Sequence, residues 1–335
     1  MTIKAYSIKQ PGGEAAPFLY KRKTGNREVL VKISHCGIAT GDIQIINNDW
    51  GDTSYPLVPG HEIIGIIEKK GSTVNGLKTG DRVGVGYQQE ACFTCAYCKA
   101  GNEQFCASQQ VIGVDCYGGL AEHIIVDARF AFKLPKKMDS AKSIPLLSSG
   151  LTVYSAITRA KLKKKSTVAV LGIGGLGQLA LRFLSAMGHS VSAFSHSPEK
   201  KTMIEQLGAT YIDTANPTNG KDHNRHFDFI LSTLNANFDP DIYLKMLKPQ
   251  GKFCLVAQPP DKLSLNAGLL YDYAQRTIFG NYTGSRKNMK DMLAFAAKHR
   301  IESNVDVLPF ADMNKAIEMV KTGKTIQRMI LENKI

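Results

Sequence analysis

A glycine-rich turn, set between an apolar strand and an apolar-striped helix, constrains this chain more than any other feature. The segment Ser166–Leu171 has the apolar pattern of a buried strand, and it runs directly into Gly172-Ile173-Gly174-Gly175-Leu176-Gly177. Apolar residues then recur at i, i+3, i+4 and i+7 from Leu176, which is the spacing of an amphipathic helix. A strand, a turn of this form and a helix together predict the start of a sheet that binds a dinucleotide.

The glycines have separate roles in such a turn. Gly172 permits the tight bend, Gly174 lets the backbone approach a pyrophosphate, and Gly177 allows the helix to pack on the sheet. Gly175 and Leu176 open the helix, where free N–H groups and the helix dipole favour an anion. We predict that these residues bind the cofactor. A turn of the same form that holds no ligand is the alternative.

The end of the next strand predicts which dinucleotide is bound. A site for NAD carries Asp or Glu there, about 20 residues past the glycines, to bind the ribose 2′-hydroxyl. This chain has Ser195, followed by His196, Ser197 and Lys200. Hydroxyls and a lysine can bind a 2′-phosphate, and no carboxylate stands at that position to repel it, so we predict NADPH rather than NADH. The alternative is that these residues only begin a helix at Pro198, with Ser197 as its cap.

The pattern of strands and helices divides the chain into two predicted domains. From residue 150 to 280, apolar strands alternate with helical stretches, which predicts an α/β fold with a doubly wound parallel sheet. Residues 1–149 instead contain short strands separated by Gly and Pro turns, which favours an antiparallel, partly closed sheet. Helical periodicity resumes at 288–298 and 313–321, in a segment 281–335 that we assign to the first domain.

Composition and charge narrow the class of protein. The 335 residues are 43% hydrophobic and 21% charged, as in soluble globular chains, and no apolar run reaches the ~18 residues of a membrane span. The net charge is +13, but the lysines form no helix-long basic stripe. We therefore expect a small-molecule substrate and neither a nucleic-acid nor a membrane partner, and we assign the excess charge to attraction of an anionic cofactor. The first residues contain no signal-peptide core, so we expect a cytoplasmic protein.

Four of the seven cysteines lie within fifteen residues of one another and predict a zinc site. Their spacing is Cys92-x2-Cys95-x2-Cys98-x7-Cys106. Four thiolates bind zinc tetrahedrally and leave no open position for chemistry, so the predicted zinc is structural, one per chain. It would hold together a lobe at about 90–107. An iron–sulfur cluster and unligated thiols are the alternatives.

Three motifs occur together and in order along nearly the whole chain. They are the run Gly60-His61-Glu62-x2-Gly65-x5-Gly71-x2-Val74, the four-cysteine lobe and the glycine-rich turn. With them the sequence resembles the zinc-containing alcohol dehydrogenases of the medium-chain dehydrogenase/reductase superfamily. Further segments resemble the NADP-dependent cinnamyl-alcohol-dehydrogenase branch of that family, namely Asp49-Trp50-Gly51 before Tyr55–Glu62, Pro145–Tyr154, and the Ser-x-Ser-x-x-Lys of Ser195 to Lys200.

The resemblance implies an architecture and an assembly. A Rossmann domain at 150–280 would be inserted into a GroES-like, mainly antiparallel β catalytic domain made of 1–149 and 281–335. Thr152 is added to the predicted cofactor contacts. Two subunits would pair through the edge strands of their Rossmann sheets, near Thr277–Tyr282, and form a homodimer.

The resemblance breaks at the catalytic zinc. In the family this zinc is bound by a Cys, by the His of the Gly-His-Glu run and by a second Cys, and the Glu lies close to it. Ala39 stands at the position of the first Cys, and Ser148 stands at that of the second. His61 and Glu62 remain, but they fall short of the roughly three protein ligands that a catalytic zinc needs. We therefore predict that no zinc binds at this position.

The proton relay is altered as well. Thr40 stands where the family has a His, and Gly41 stands where it has the relay Ser. We retain His61, Glu62 and Thr40 as the candidate catalytic residues. Thr40, Tyr87 and water remain open as the proton donor.

Three functions are compatible with these residues. The first is an NADPH-dependent oxidoreductase that reduces a small carbonyl or an activated double bond without catalytic zinc, and so depends on orientation rather than on a Lewis acid. The second is a conventional zinc-dependent alcohol or aldehyde dehydrogenase in which Cys36 joins His61 and Glu62. The third is a catalytically silent NADPH-binding sensor or partner protein.

Overall fold

The chain forms two units, and the first of them is made of two separate runs of sequence. These runs are Met1–Ser148 and Ser285–Ile335, and the second unit is Ser149–Gly284. The computed structural model describes residues 1–214, 223–325 and 327–333. No helix within these ranges is both long enough and apolar enough to cross a membrane.

The N-terminal run of the first unit consists mainly of short strands. Its strands are β1 (Thr2–Ser7), β2 (Ala16–Lys21), β3 (Glu28–Ile38), β4 (Glu62–Lys70), β5 (Arg82–Val85), β6 (Gln88–Glu90), β7 (Gln110–Val111), β8 (His123–Asp127) and β9 (Ala131–Lys133). Its helices are α1 (Thr40–Asn47), α2 (Ala96–Lys99) and α3 (Ser140–Ser143), and 3₁₀ turns occur at Glu103–Phe105, Ala128–Phe130 and Ile144–Leu147. Branched apolar residues of β3 and β4, such as Val31 and Ile64, are fully buried and form the core of this sheet.

The second unit alternates strands with helices. Its elements are α4 (Ser149–Ala160), β10 (Thr167–Leu171), α5 (Gly175–Ala186), β11 (Ser190–Ser195), a 3₁₀ turn (Pro198–Lys200), α6 (Lys201–Gln206), β12 (Ala209–Asp213), β13 (Phe227–Ser232), α7 (Pro240–Met246), β14 (Leu247–Leu255), α8 (Gly268–Tyr271) and β15 (Thr277–Gly280). The strands lie parallel in the order β12-β11-β10-β13-β14-β15. This confirms the predicted doubly wound parallel sheet.

The C-terminal run completes the sheet of the first unit. Its elements are α9 (Arg286–His299), β16 (Val305–Pro309), a 3₁₀ turn (Phe310–Asp312), α10 (Met313–Lys321) and β17 (Arg328–Glu332). β17 pairs antiparallel with β3, and the sheet has the order β16-β17-β3-β4-β5-β9 with β8 also paired to β3. In this sheet the β16–β17 pair is parallel and the other pairs are antiparallel. The prediction that the first unit contains a mainly antiparallel sheet is therefore confirmed.

The parallel register of the second unit positions its candidate cofactor residues. Leu171 at the end of β10 lies beside Phe194 near the end of β11. The turn that begins at Gly172 and the segment that follows Ser195 therefore leave the sheet at the same edge. Ligands of doubly wound sheets bind at this edge, beyond the carboxyl ends of the strands.

Candidate functional site

The glycine-rich turn packs tightly against the protein at Gly172 and Gly177 and faces open space at Gly174. Gly172 has a φ of +82°, and a Cβ there would lie 2.7 Å from Leu234 Cδ2. A Cβ at Gly177 would lie 2.1 Å from the carbonyl oxygen of Gly172, so α5 can pack this closely only with glycine at that position. A Cβ at Gly174 would meet no atom within 4 Å. This is the position at which the sequence predicts a pyrophosphate to approach.

The N-terminus of α5 has no side-chain cap. Its N-cap residue is Gly174, and the helix begins with Gly175, Leu176 and Gly177. The first N–H groups of a helix have no partner inside the helix, and the dipole adds a partial positive charge there. The turn therefore offers backbone donors beside open space, which fits an anionic group such as a pyrophosphate.

The segment after β11 brings together the four residues predicted to select the cofactor. The Oγ of Ser195, which is largely buried, accepts a hydrogen bond from Ser197 N at 3.2 Å. His196 is exposed, and Lys200 ends the 3₁₀ turn that starts at Pro198. Ser197 occupies the N-cap position of this turn, as the alternative expects, but its side chain makes no cap hydrogen bond. Asp213, on the neighbouring strand β12, lies in register with Ser195.

Thr152 lies on α4 and is largely buried. Its Oγ1 donates a hydrogen bond to the carbonyl oxygen of Tyr282 at 3.1 Å. The hydroxyl therefore ties α4 to the segment after β15.

The four predicted zinc ligands converge. The Sγ atoms of Cys92, Cys95, Cys98 and Cys106 all lie within 4.8 Å of one another, and those of Cys92 and Cys98 are 3.9 Å apart. A Zn–S bond of about 2.3 Å in a tetrahedron separates the sulfurs by about 3.8 Å, so the donor set fits zinc. Backbone N–H groups of the lobe point at these sulfurs, as in the bonds from Cys95 N to Cys92 Sγ (3.4 Å) and from Cys98 N to Cys95 Sγ (3.5 Å).

The thiols of this lobe differ in acidity. Hydrogen bonds from Thr94, and then from the amide of Cys95, lower the pKa of Cys92 to about 5. Burial raises the pKa of Cys98 to about 12. Metal binding removes the proton from a coordinating thiol, so binding of zinc would release protons mainly from the less acidic positions.

A buried aspartate holds the histidine of the Gly-His-Glu run. His61 Nδ1 donates to Asp42 Oδ1 at 2.8 Å, and Asp42 also accepts the backbone N–H groups of Ala39 (2.8 Å) and Gly60 (3.0 Å). Asp42 is only 1% exposed. Burial raises the pKa of Asp42, but His61 and the two amides lower it further, so the carboxyl is more acidic than usual.

The glutamate of the same run is held by an arginine from the far end of the chain. Arg328 on β17 donates to both oxygens of Glu62, at 2.7 and 2.8 Å, and Glu62 is fully buried. Both carboxylate oxygens therefore already have a cationic partner. This leaves the carboxylate poorly disposed to bind a metal as well.

Cys36 does not complete a metal site. Its thiol donates weakly to the carbonyl of Gly37 at 3.6 Å, and its sulfur fills the space beside Gly60 and Gly119, where a Cβ would lie 2.5 and 2.8 Å away. Burial raises its pKa well above the usual value, which disfavours the thiolate. Among the described residues, the lobe cysteines form the one group of three or more His, Cys, Asp or Glu that is spaced for a metal.

The substituted positions offer nothing in place of the lost thiolates. Ala39 is the N-cap residue of α1 and has no donor atom in its side chain. Ser148 follows the 3₁₀ turn at Ile144–Leu147 and carries only a hydroxyl, a poor zinc ligand beside a thiolate. The residues at the family's catalytic position therefore do not fit a zinc ion.

The two other candidate proton donors lie in different settings. Thr40 is the first residue of α1 and is exposed. The hydroxyl of Tyr87 donates to Gln109 Oε1 at 3.0 Å. Reasoning from the sequence missed Asp42 and Arg328 as partners of His61 and Glu62, although the acid in the first turn of α1 was a local signal for the former.

Comparison with known proteins gives consistent matches over the whole chain. Residues 25–136 match the family described as alcohol dehydrogenase GroES-like domain, and residues 175–298 match the family described as zinc-binding dehydrogenase. An aldehyde reductase of Synechocystis sp. is 38% identical over 333 residues, which cover 99% of this chain and 99% of that protein.

Solved structures resemble this one closely. A cinnamyl alcohol dehydrogenase of Sorghum bicolor has a TM-score of 0.93 and 30% identity, covering 99% of this chain and 98% of the other. A cinnamyl alcohol dehydrogenase of Helicobacter pylori, solved in complex with NADP(H), has a TM-score of 0.90 and 31% identity, covering 100% and 99%.

Proposed function

The chain belongs to the zinc-type alcohol dehydrogenases, and on that premise we propose that it is an NADPH-dependent reductase that works without a catalytic zinc. It is an oxidoreductase of the alcohol and aldehyde dehydrogenase type, similar to cinnamyl alcohol dehydrogenases. The proposed substrate is a small carbonyl compound or an activated double bond. The pair formed by Asp42 and His61, beside a Glu62 already bound by Arg328, carries this proposal.

NADPH is the proposed cofactor, and when bound it supplies the hydride. The first turn of α5 would hold the pyrophosphate, because its N–H groups lack a cap and Gly174 leaves space beside them. Ser195, Ser197 and Lys200 would bind the 2′-phosphate. The complex of the Helicobacter pylori relative with NADP(H) supports this choice.

One structural zinc per chain is proposed at the four lobe cysteines. Bound zinc would cross-link residues that are spread along the lobe and would fix its shape. Arg286 on α9 donates to Glu103 Oε1 at 3.1 Å, and so links the lobe to the C-terminal run of the same unit. Zinc at this site would therefore support the fold of the first unit rather than the reaction.

His61 is the proposed proton donor. Its Nδ1 is held by Asp42, and its Nε2 has no hydrogen-bond partner among the residues that the structure describes. When a carbonyl carbon takes a hydride, its oxygen must take a proton, and a positioned imidazolium can supply it. Asp42 would fix the orientation of the ring and stabilise its charged form, as an aspartate does beside a catalytic histidine in other enzymes.

Replacement of His61 tests this role. We expect His61→Gln to lower kcat/KM for reduction about 10²- to 10⁴-fold, the usual contribution of a general acid, while the Kd for NADPH stays unchanged. Thr40→Val is the matched control, and a larger loss there would assign the proton to Thr40. The measurement is NADPH oxidation with a panel of enals, quinones and aldehydes.

Treatment with a chelator separates the alternatives. Activity should persist in protein that retains one zinc per chain after mild chelation. Activity that disappears as a second, loosely held zinc is removed would favour the conventional zinc dehydrogenase with Cys36 among its ligands. NADPH binding without turnover of any compound in the panel would favour the silent sensor.

A further inference from the structure

The first unit contains a cavity that the proposed reaction does not use. Its volume is about 660 Å³, within the range of about 300–1,000 Å³ that small-molecule sites occupy. One side is formed by residues of Asp127–Lys133, a second by the 73–77 segment between β4 and β5, and a third by α9. None of these residues belongs to the glycine-rich turn, the zinc lobe cysteines or the His61 pair.

The helix presents a single face to this cavity. Arg286, Lys290, Leu293 and Ala294 line it and are spaced at i, i+4, i+7 and i+8, which places them on one side of α9. The face changes character along the helix, from two cations in its first turns to two apolar residues further on. The cavity therefore has a charged part and an apolar part.

The charged part contains more cations than acids. Its cations are Arg27, Arg129, Lys133, Arg286 and Lys290, and the acid that lines it is Asp127. Three of the cations already have carboxylate partners: Arg129 with Asp127, Lys133 with Asp81, and Arg286 with Glu103. Arg27 and Lys290 have no ion pair or side-chain hydrogen bond within the described part of the chain, so two positive charges remain uncompensated.

The 73–77 segment adds backbone donors. The N–H groups of Asn75, Gly76 and Leu77 donate to no acceptor among the described residues, whereas Thr73 and Val74 donate to carbonyls of the first unit. Gly76 has a φ of +81°, the left-handed conformation found in backbone turns that gather N–H groups around an anion. The apolar part of the lining includes Leu77, Phe132 and Leu293.

We propose that this cavity binds a small organic phosphate monoester, whose phosphate pairs with Arg27 and Lys290 and whose apolar group packs on Phe132 and Leu293. A phosphate monoester carries about −1.5 to −2 charges at neutral pH, which matches two uncompensated cations better than a monocarboxylate does. The site does not depend on the proposed hydride transfer. Because its walls come from both runs of the first unit, its ligand would also stabilise the folded state.

Calorimetric titration with phenyl phosphate tests the site. The protein is first saturated with NADPH, so that the glycine-rich turn is filled and cannot bind the probe. We expect a stoichiometry of one per chain, affinity that falls as salt is raised, and binding that is at least about tenfold weaker for inorganic phosphate, which lacks the apolar group. Equal affinity for inorganic phosphate, or no binding of phenyl phosphate at millimolar concentration, overturns the proposal.

A charge-matched pair of double variants locates the site. Arg27→Ala with Lys290→Ala should weaken phenyl phosphate at least about tenfold, since both residues are exposed and their loss leaves the core intact. Lys23→Ala with Lys298→Ala removes the same charge from the same segment and the same helix, outside the cavity lining, and should leave the affinity unchanged. Equal effects of the two double variants would mean that the probe senses only net charge, and would overturn the assignment.

Discussion

At the scale of single residues, Asp42 determines how readily His61 gives up a proton. Burial lowers the pKa of His61, but the carboxylate of Asp42 and its hydrogen bond raise it by more, so the pKa lies above its ordinary value. The shift therefore favours the imidazolium, which is the form that can donate a proton. A donor of this kind is what the proposed reduction without a catalytic zinc requires.

The pH dependence of reduction follows from the sign of this shift. We expect kcat/KM to fall as the pH rises through the raised pKa of His61, because the proton donor is lost above it. Asp42→Asn removes the negative charge and should move this fall to lower pH. Profiles of kcat/KM against pH for the two proteins measure the shift, and profiles that coincide would exclude His61 as the titrating group.

Ser195 offers a second test at this scale. Ser195→Asp places a carboxylate at the end of β11, where it would repel a 2′-phosphate and accept a hydrogen bond from a ribose hydroxyl. We expect the Kd for NADPH to rise by at least about tenfold and that for NADH to fall or stay the same. Ser195→Ala is the control for loss of the hydroxyl alone. Wild-type protein that binds NADH as tightly as NADPH would contradict the cofactor assignment.

The pairs around His61 and Glu62 show where prediction from the sequence stops. Asp42 and His61 are 19 residues apart, and Glu62 and Arg328 are 266 residues apart. Hydrophobic periodicity is a local signal, and it carries no information about which charged residues meet in the folded sheet. The lost thiolates were visible because they are single substitutions inside a known motif.

At the scale of elements, the glycine-rich turn between β10 and α5 has two functions, because it offers a site for the cofactor and lets the helix pack on the sheet. A matched pair of substitutions separates its two functions. Gly174→Ala adds a Cβ that meets no protein atom, so we expect unchanged stability and an NADPH affinity lower by at least about tenfold. Gly177→Ala adds a Cβ against the carbonyl of Gly172 and should lower the midpoint of thermal unfolding itself.

Both variants are measured by thermal unfolding without cofactor and by NADPH titration. If Gly174→Ala binds NADPH as well as the wild type does, the open side of the turn is not the cofactor site.

The four-cysteine lobe leads to a prediction of the zinc content. Elemental analysis should find one zinc per chain, and Cys98→Ser should remove most of it, because a serine hydroxyl ligates zinc far more weakly than a thiolate. Ala39→Cys together with Ser148→Cys should raise the count toward two by restoring the missing thiolates. Two zincs in the unmodified protein would contradict the assignment and would direct attention to Cys36.

Some elements have a clear pattern in the sequence and others do not. The helices α9 and α10 follow from their apolar spacing, and β10 follows from the apolar run before the glycine-rich turn. The strands β16 and β17 gave no clear signal, since a run of three apolar residues such as Met329–Leu331 suits a strand and a helix equally well. β17 pairs with β3 and β16 pairs with β17, and a local sequence pattern contains neither contact.

At the scale of the whole molecule, β15 is one of the two edge strands of the sheet of the second unit, as far as the described residues go. Tyr282, which follows it, is 67% exposed. An uncovered strand edge can pair with the same edge of another copy. We expect light scattering at micromolar concentration to give twice the 36.6 kDa mass of the chain, and Ile278→Pro, which removes a backbone donor from β15, to reduce that mass. A wild-type protein that remains monomeric would contradict the homodimer.

The C-terminal run completes the first unit, and this affects the order in which the two units can fold during synthesis. The stretch His35–Ile38 of β3 pairs with β17, about 290 residues later in the chain. During synthesis the edge of this stretch that pairs with β17 stays unpaired until β17 has emerged from the ribosome, while its other edge can already pair with β4. The second unit, by contrast, is complete in one continuous stretch and can fold earlier. A chain that stalls before β17 would thus leave one edge of β3 open, so we expect β17 to protect the nascent protein from aggregation.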